Sequence, residues 1–179
     1  MTHQLSPILL RRLLRYEPET GKLFWRARPL SMFSSERACH CWNARFAGKE
    51  AFTSLSAKGY KVGRILGRGY LAHRVIWAIQ TGKWPALLVD HRDSEPANNR
   101  WGNLREATRA QNNQNSGKPA RNTSGYKGVS WHRGQRKWVA QIAYKGKKQH
   151  LGYFDISEEA HVAYCEAAEK YHGEFANIS

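Results

Sequence analysis

The sequence predicts an α+β fold of short hairpins and helices that ends in a small three-stranded antiparallel sheet packed on one helix. Three observations predict it. Apolar and polar residues alternate in short runs separated by Gly-containing turns, around residues 59–72 and again over 126–154. Helical spacing of apolar residues occurs in separate stretches, at 8–14, 73–79 and 160–171. The chain has 179 residues, 41% hydrophobic and 24% charged, which is enough for one ordinary domain or two small ones and argues against disorder.

Charge narrows the partner. There are 29 Lys and Arg against 14 Asp and Glu, a formal net charge of +15, so a polyanion such as nucleic acid is expected. No apolar run approaches the ~20 residues that cross a bilayer, and Arg11-Arg12 interrupts the first apolar run where a secretory signal would continue. The expectation is an intracellular protein with no membrane partner. Cys39, Cys41 and Cys165 make neither a disulfide framework nor a four-ligand zinc site, and Cys39-His40-Cys41 is too tightly spaced for a zinc knuckle.

Taken in order, Ser6-Pro7 is a cap and first turn for a helix whose apolar face is Ile8, Leu9, Leu10, Leu13 and Leu14. Arg11, Arg12 and Arg15 take its other face. Residues 16–25 read as strand, turn at Gly21 and strand. From Arg26 to Ala57 the pattern is irregular and predicts only a turn between short extended pieces over 46–52. Residues 59–66 and 69–72 alternate around Gly67-Arg68 as a hairpin. A helix follows over 73–79, stopped by Gly82 and Pro85.

The stretch that carries chemistry runs from Val89 to Asn115. Leu87-Leu88-Val89 is a short strand that delivers Asp90 and His91 side by side. A polar loop with turn residues follows. Asn103-Leu104-Arg105 is extended again, and Thr108 caps a helix over 109–115. A carboxylate beside an amide oxygen suits a hard cation such as Mg2+, which takes few carboxylates together with substrate phosphate. A neutral imidazole next to it takes a proton from water, and the pairing hydrolyses phosphodiesters.

Asp90, His91, Asn103, Leu104, Thr108 and Asn112 stand at the spacings of the HNH endonucleases, and this stretch resembles the homing and phage branch of that family. The resemblance implies a ββα-metal (HNH) nuclease core with N-terminal hairpins and helices. It implies Mg2+ or Mn2+ held by Asp90 and Asn112, with Asn113 the neighbouring alternative. It further implies His91 as general base, and Asn103 as the residue that fixes the loop and orients His91. His73-Arg74 before a helix is also common in these proteins. Arg74 is therefore a candidate DNA contact, and His73 either approaches the scissile phosphate or is a helix-start histidine satisfied by backbone.

After this core, residues 117–123 read as a flexible linker between a nuclease domain, 1–116 with its core at about 60–116, and a second domain over 124–179. Residues 1–116 carry 19 basic and 8 acidic residues, +11, and residues 117–179 carry 10 and 6, +4. Three strands are expected near 126–132, 137–144 and 147–154. Residues 155–159 should begin a helix with a cap and acids in its first turn. Ala160, Ala163, Tyr164, Ala167, Ala168 and Tyr171 form its packing face.

The motifs Gly-Tyr-Lys-Gly-Val, Lys-Trp-Val-Ala-Gln-Ile, Leu-Gly-Tyr-Phe-Asp and Glu-Glu-Ala-His-Val-Ala-Tyr resemble the APETALA-type DNA-binding domain of plant ethylene-response factors. The resemblance implies that the sheet enters a major groove of double-stranded DNA with Lys127, Ser130, His132, Gln141, Lys148 and His150. Plant members often have Arg, Glu or Trp at such sites, so the fold carries over and the plant target sequence does not. Together the two resemblances imply a metal-dependent DNA endonuclease of homing or phage type, acting in the cytoplasm or nucleoid of a host cell. The alternative is a DNA-binding protein or regulator that keeps the nuclease fold without cutting. A monomer would nick and a dimer would break both strands, and the sequence leaves oligomeric state open.

Overall fold

A computed structural model describes residues 4–178. The chain divides into two compact units, Met1–Glu106 and Ala107–Ser179.

The first unit opens with helix α1 (Pro7–Leu13), where the Ser6 hydroxyl accepts from the Leu9 N–H and Pro7 occupies the first turn. Strands β1 (Leu14–Glu17) and β2 (Lys22–Trp25) form the expected hairpin, and β3 (Glu50–Ala51) pairs on the far side of β2. Between β2 and β3 lies a helix the sequence pattern did not predict, α2 (Glu36–Phe46), capped by Ser35 on the Ala38 N–H. None of its residues is fully buried, so its apolar spacing at Ala38, Cys39, Trp42 and Phe46 is diluted by polar neighbours. It is held by rings: the Arg28 guanidinium lies 3.9 Å from the Trp42 ring, which also meets Trp25, Phe33 and Phe46.

Strands β4 (Ser54–Leu55), β5 (Lys61–Ile65) and β6 (Arg68–Leu71) form a second sheet, with the hairpin turn at Leu66-Gly67. Helix α3 (Ala72–Thr81) follows and ends at Gly82, as its pattern predicts. Strands β7 (Leu88–His91) and β8 (Leu104–Ala107) pair with each other. One apolar cluster unites these elements, with Leu10, Leu13, Leu23, Ile65, Val75, Ile76, Val89 and Leu104 among its buried members. Burial of this kind, at roughly 25 cal/mol per Å² of apolar surface, is the main stabilising contribution. It anchors strand β7 just before Asp90 and His91 through Val89.

The second unit begins with α4 (Arg109–Asn115), whose Thr108 and Gln111 form a reciprocal capping box. The sequence reading counts this helix with the nuclease core, yet it packs within the C-terminal unit. The Asn177 amide donates to the Asn115 carbonyl at 2.8 Å, and the Lys127 ammonium donates to the carbonyls of Gln114 and Ser116. The segment expected to be a flexible linker holds no helix or strand but is bonded: Asn122 accepts from the Gly125 N–H and donates to the Tyr126 carbonyl.

Strands β9 (Val129–His132), β10 (Lys137–Tyr144) and β11 (Lys147–Phe154) form an antiparallel sheet with β10 central. Helix α5 (Ser157–His172) packs Ala160, Tyr164, Ala167 and Ala168 against Val129, Ala140 and Ile142. The expected side-chain cap is absent. Ile156 occupies the capping position, and Glu158 and Glu159 alone complement the first turn. Among the described residues no helix is long and apolar enough to cross a membrane.

Candidate functional site

Strand β7 ends on the two residues singled out by the sequence. Asp90 and His91 are both buried, at 6% and 5% exposure, which is unusual for a charged and a titratable side chain. His91 is fixed by Asn99, whose amide nitrogen faces the Ala97 carbonyl at 3.4 Å and whose Oδ1 lies 3.1 Å from His91 Nε2. Since an amide oxygen only accepts, Nε2 carries the proton and the ring's lone pair is on Nδ1. Burial pushes the His91 pKa below its ordinary value, against the opposing pull of Asn99, Asp93 and Asp90. The ring is therefore neutral at physiological pH.

Two more rings close around it. His73, at the start of α3, meets His91 edge to face with centroids 5.2 Å apart, and Tyr60 lies 5.1 Å from His73 and 5.9 Å from His91. His73 is 5% exposed, its Nδ1 has no partner among the described residues, and burial first, then His91 and Arg74, lower its pKa to about 3.

The loop after β7 is tied by Asn103. Its amide nitrogen donates to Asp93 Oδ1 at 2.9 Å and to the Asn98 carbonyl at 2.8 Å, and its Oδ1 accepts from the Asp93 N–H. The Asn103 carbonyl accepts from the Arg92 N–H at 2.9 Å. Partial burial raises the Asp93 pKa, but the Glu95 N–H and the amides of Asn98 and Asn103 hold it below the usual range. Asn103 thus fixes the loop, while the role of orienting His91 falls to Asn99. No periodic pattern marks Asn99, since a buried polar loop residue is defined only by its distant partners.

Those partners lie on the first hairpin. The Tyr16 hydroxyl donates to the Asn99 carbonyl at 2.8 Å, Arg100 Nε to the Glu19 carbonyl at 2.8 Å, and the Trp101 N–H to the Pro18 carbonyl at 3.1 Å. Gly21, at φ 71°, lets the backbones meet: a Cβ there would stand 2.6 Å from the Asn99 carbonyl carbon and the Arg100 nitrogen.

Asp90 is the only fully buried carboxylate among the described residues. Its Oδ2 accepts from Arg105 Nε at 2.9 Å, in an ion pair whose side chains are 6% and 7% exposed. A buried carboxylate is the hard oxygen donor that Mg2+ or Mn2+ favours, so the donor chemistry fits either ion. Among the described residues no group of three His, Cys, Asp or Glu could hold an ion. A cation here would depend on amide and phosphate oxygens. Asn112, half-buried, and Asn113, exposed, stand on α4 in the second unit. The Arg74 guanidinium donates at 3.4 Å to the carbonyls of Pro85 and Leu87.

In the second unit the register assigns the sheet's faces. Trp138, Ala140 and Ile142 point to α5, so Lys137, Val139, Gln141 and Ala143 take the opposite face. His132 pairs with Lys137, Ser130 with Val139, His150 with Gln141 and Lys148 with Ala143, which brings Ser130, His132, Gln141, Lys148 and His150 together on the open face. Tyr153, absent from the sequence-derived set, completes a row of rings there, 5.3 Å from His132 and 4.6 Å from His150. Lys127 stands apart: it is half-buried, and burial lowers its pKa to about 8 while its ammonium holds the end of α4. Charge divides between the layers. Residues 117–154 hold nine Lys and Arg and no Asp or Glu, whereas Glu158, Glu159, Glu166 and Glu169 lie on α5.

Comparison with known proteins finds two domains in the chain. Residues 70–114 match the family model of an HNH endonuclease, and residues 124–174 match that of an AP2 domain. Protein 3.8 of Escherichia phage T7 is 33% identical over 107 residues, covering 59% of this chain and 88% of that protein. No solved structure matches the chain.

Proposed function

This chain belongs to the family of phage Protein 3.8 and joins an HNH endonuclease domain to an AP2 domain, and we propose that it is a metal-dependent endonuclease that hydrolyses DNA phosphodiesters. The observation that carries this reading is the buried, neutral His91, with its proton held on Nε2 by Asn99, next in sequence to the buried Asp90, whose charge acts on it.

In this reading His91 Nδ1 takes a proton from water as the water oxygen bonds to phosphorus. The bond from phosphorus to the 3' oxygen breaks, and that oxygen is protonated from solvent, leaving a 5' phosphate and a 3' hydroxyl. Asp90 would hold the cation, and the resemblance to HNH endonucleases adds Asn112 as a second ligand. When bound, Mg2+ or Mn2+ supplies charge stabilisation to the phosphate and the leaving oxygen. Asn103 keeps the loop closed under the site, and Asn99 keeps the imidazole in the productive tautomer. Ser130, His132, Gln141, Lys148 and His150 grip the duplex through the C-terminal sheet, Arg74 is an auxiliary phosphate contact, and Lys127 serves α4. The functional boundary proposed remains residues 1–116 for cutting and 124–179 for gripping.

A second reading, DNA binding without cleavage, has one observation in its favour: Arg105 already neutralises the Asp90 charge. Supercoiled plasmid incubated with the protein in Mg2+ or EDTA, beside His91→Ala, separates the two. Mg2+-dependent nicking that falls by about 10²–10⁴-fold in His91→Ala supports the endonuclease. Intact plasmid with undiminished gel retardation supports binding alone.

A further inference from the structure

We infer that Gln141 makes the C-terminal sheet prefer adenine at one position of its duplex site, and that a bulge in β11 builds the face on which it does so. This rests on the reading of the sheet as a DNA-gripping surface and extends it to base preference.

The bulge comes first. Across β10 and β11, Ala140 pairs with Gly152 but Gln141 pairs with His150, so Leu151 is an extra residue without an opposite number. Strand side chains alternate between faces, and an unbroken register would put Tyr153, Leu151 and Gln149 on the open face and His150 and Lys148 beneath α5. The extra residue reverses this. Leu151 joins the apolar layer under α5, while His150 and Lys148 turn out beside Gln141 and Ala143. Gly152 at φ 148° supplies the conformation, and a Cβ there would press on the Phe154 ring at 3.0 Å.

On this face of the central strand stand Lys137, Val139, Gln141 and Ala143, of which Val139 is buried and Gln141 and Ala143 are exposed. Val139 and Ala143 have no polar side-chain atoms, and Lys137 only donates and pairs with Asp155. Gln141 is exposed, its carboxamide has no partner among the described residues, and it is the single group on that strand able to donate and accept in one plane. Adenine offers N6–H2 and N7 in the major groove, matching an amide in both senses, whereas guanine offers two acceptors there. The nine cations and absent anions of residues 117–154 supply the phosphate attraction that brings the face to the groove without choosing a base.

The test is selection of a randomised duplex library by the full-length protein in EDTA, followed by affinity measurements on the enriched sequence. Wild type should enrich one adenine, and replacing that adenine should weaken binding about five- to hundredfold. Gln141→Ala should lose the preference at that position, and Gln141→Arg should move it to guanine, whose two acceptors suit a guanidinium. Adenine preference surviving in Gln141→Ala overturns the inference, as does wild-type binding with no base preference, and both leave the gripping role intact. Wild type that retains no duplex at low salt overturns the gripping role itself.

Discussion

Asn99 Oδ1 stands 3.1 Å from His91 Nε2, and this contact sets which nitrogen of the imidazole carries the proton. Asn99→Ala should therefore lower plasmid nicking by roughly 10²-fold while leaving gel retardation of DNA unchanged, because the phosphate contacts lie elsewhere. Asn99 is 1% exposed, so the same change should cost about 1–3 kcal/mol of stability through the partners left unpaired. Rates at a temperature where both proteins are folded separate the two effects.

Gly21 tests whether the first hairpin supports that contact. Gly21→Ala forces a Cβ into backbone atoms at 2.6 Å and should reduce both melting temperature and nicking. Gly48 is the control: at φ 78° it has nothing within 4 Å of the position a Cβ would take. Gly48→Ala carries only the left-handed strain, about 1 kcal/mol, and should leave nicking intact. Equal loss of activity in both variants would remove the hairpin from the support of the site.

Much of this was legible because periodicity and caps are local. Ser6-Pro7 begins α1, Gly82 ends α3, Thr108 with Gln111 begins α4, and alternation marks β5, β6 and the C-terminal sheet. What escaped the sequence is determined at a distance. Helix α2 has no fully buried residue, and its stability comes from rings that meet only after folding. Asn99 looks like any loop amide until Tyr16 and His91 arrive. Leu151 looks like an ordinary strand residue until the register slips beside it. Arg105 reads only as part of an extended segment, yet it is buried on Asp90.

His73 should make stability depend on acid. Its folded pKa is lowered to about 3 by burial, whereas in the unfolded chain it titrates near 6.5. Below pH 6.5 the unfolded state binds a proton that the folded state refuses, so stability is full above that pH and declines as pH falls toward 3. His73→Phe cannot titrate there. Denaturant unfolding at pH 7.5 and 4.5 should show wild type losing a few kcal/mol more than the variant over that interval, and parallel losses would exclude His73 as the cause.

The Asp90 and Arg105 pair provides a test of the cation that does not depend on cleavage. Removing one member of a buried ion pair leaves the other uncompensated, at a cost of about 3–5 kcal/mol. Arg105→Met keeps much of the side chain's volume and removes its charge, so in EDTA it should melt well below wild type. If Asp90 is a cation ligand, Mg2+ or Mn2+ then meets a carboxylate with its competing guanidinium gone. The metal should raise the variant's melting temperature more than that of wild type, by an amount that grows with concentration as linkage requires. Asp90→Asn in the Arg105→Met background should abolish this gain, because the amide keeps the shape but loses the charge. A metal-dependent rise that persists without the carboxylate would locate the cation elsewhere, and its absence in Arg105→Met would favour the binding-only reading, in which Asp90 serves Arg105 alone.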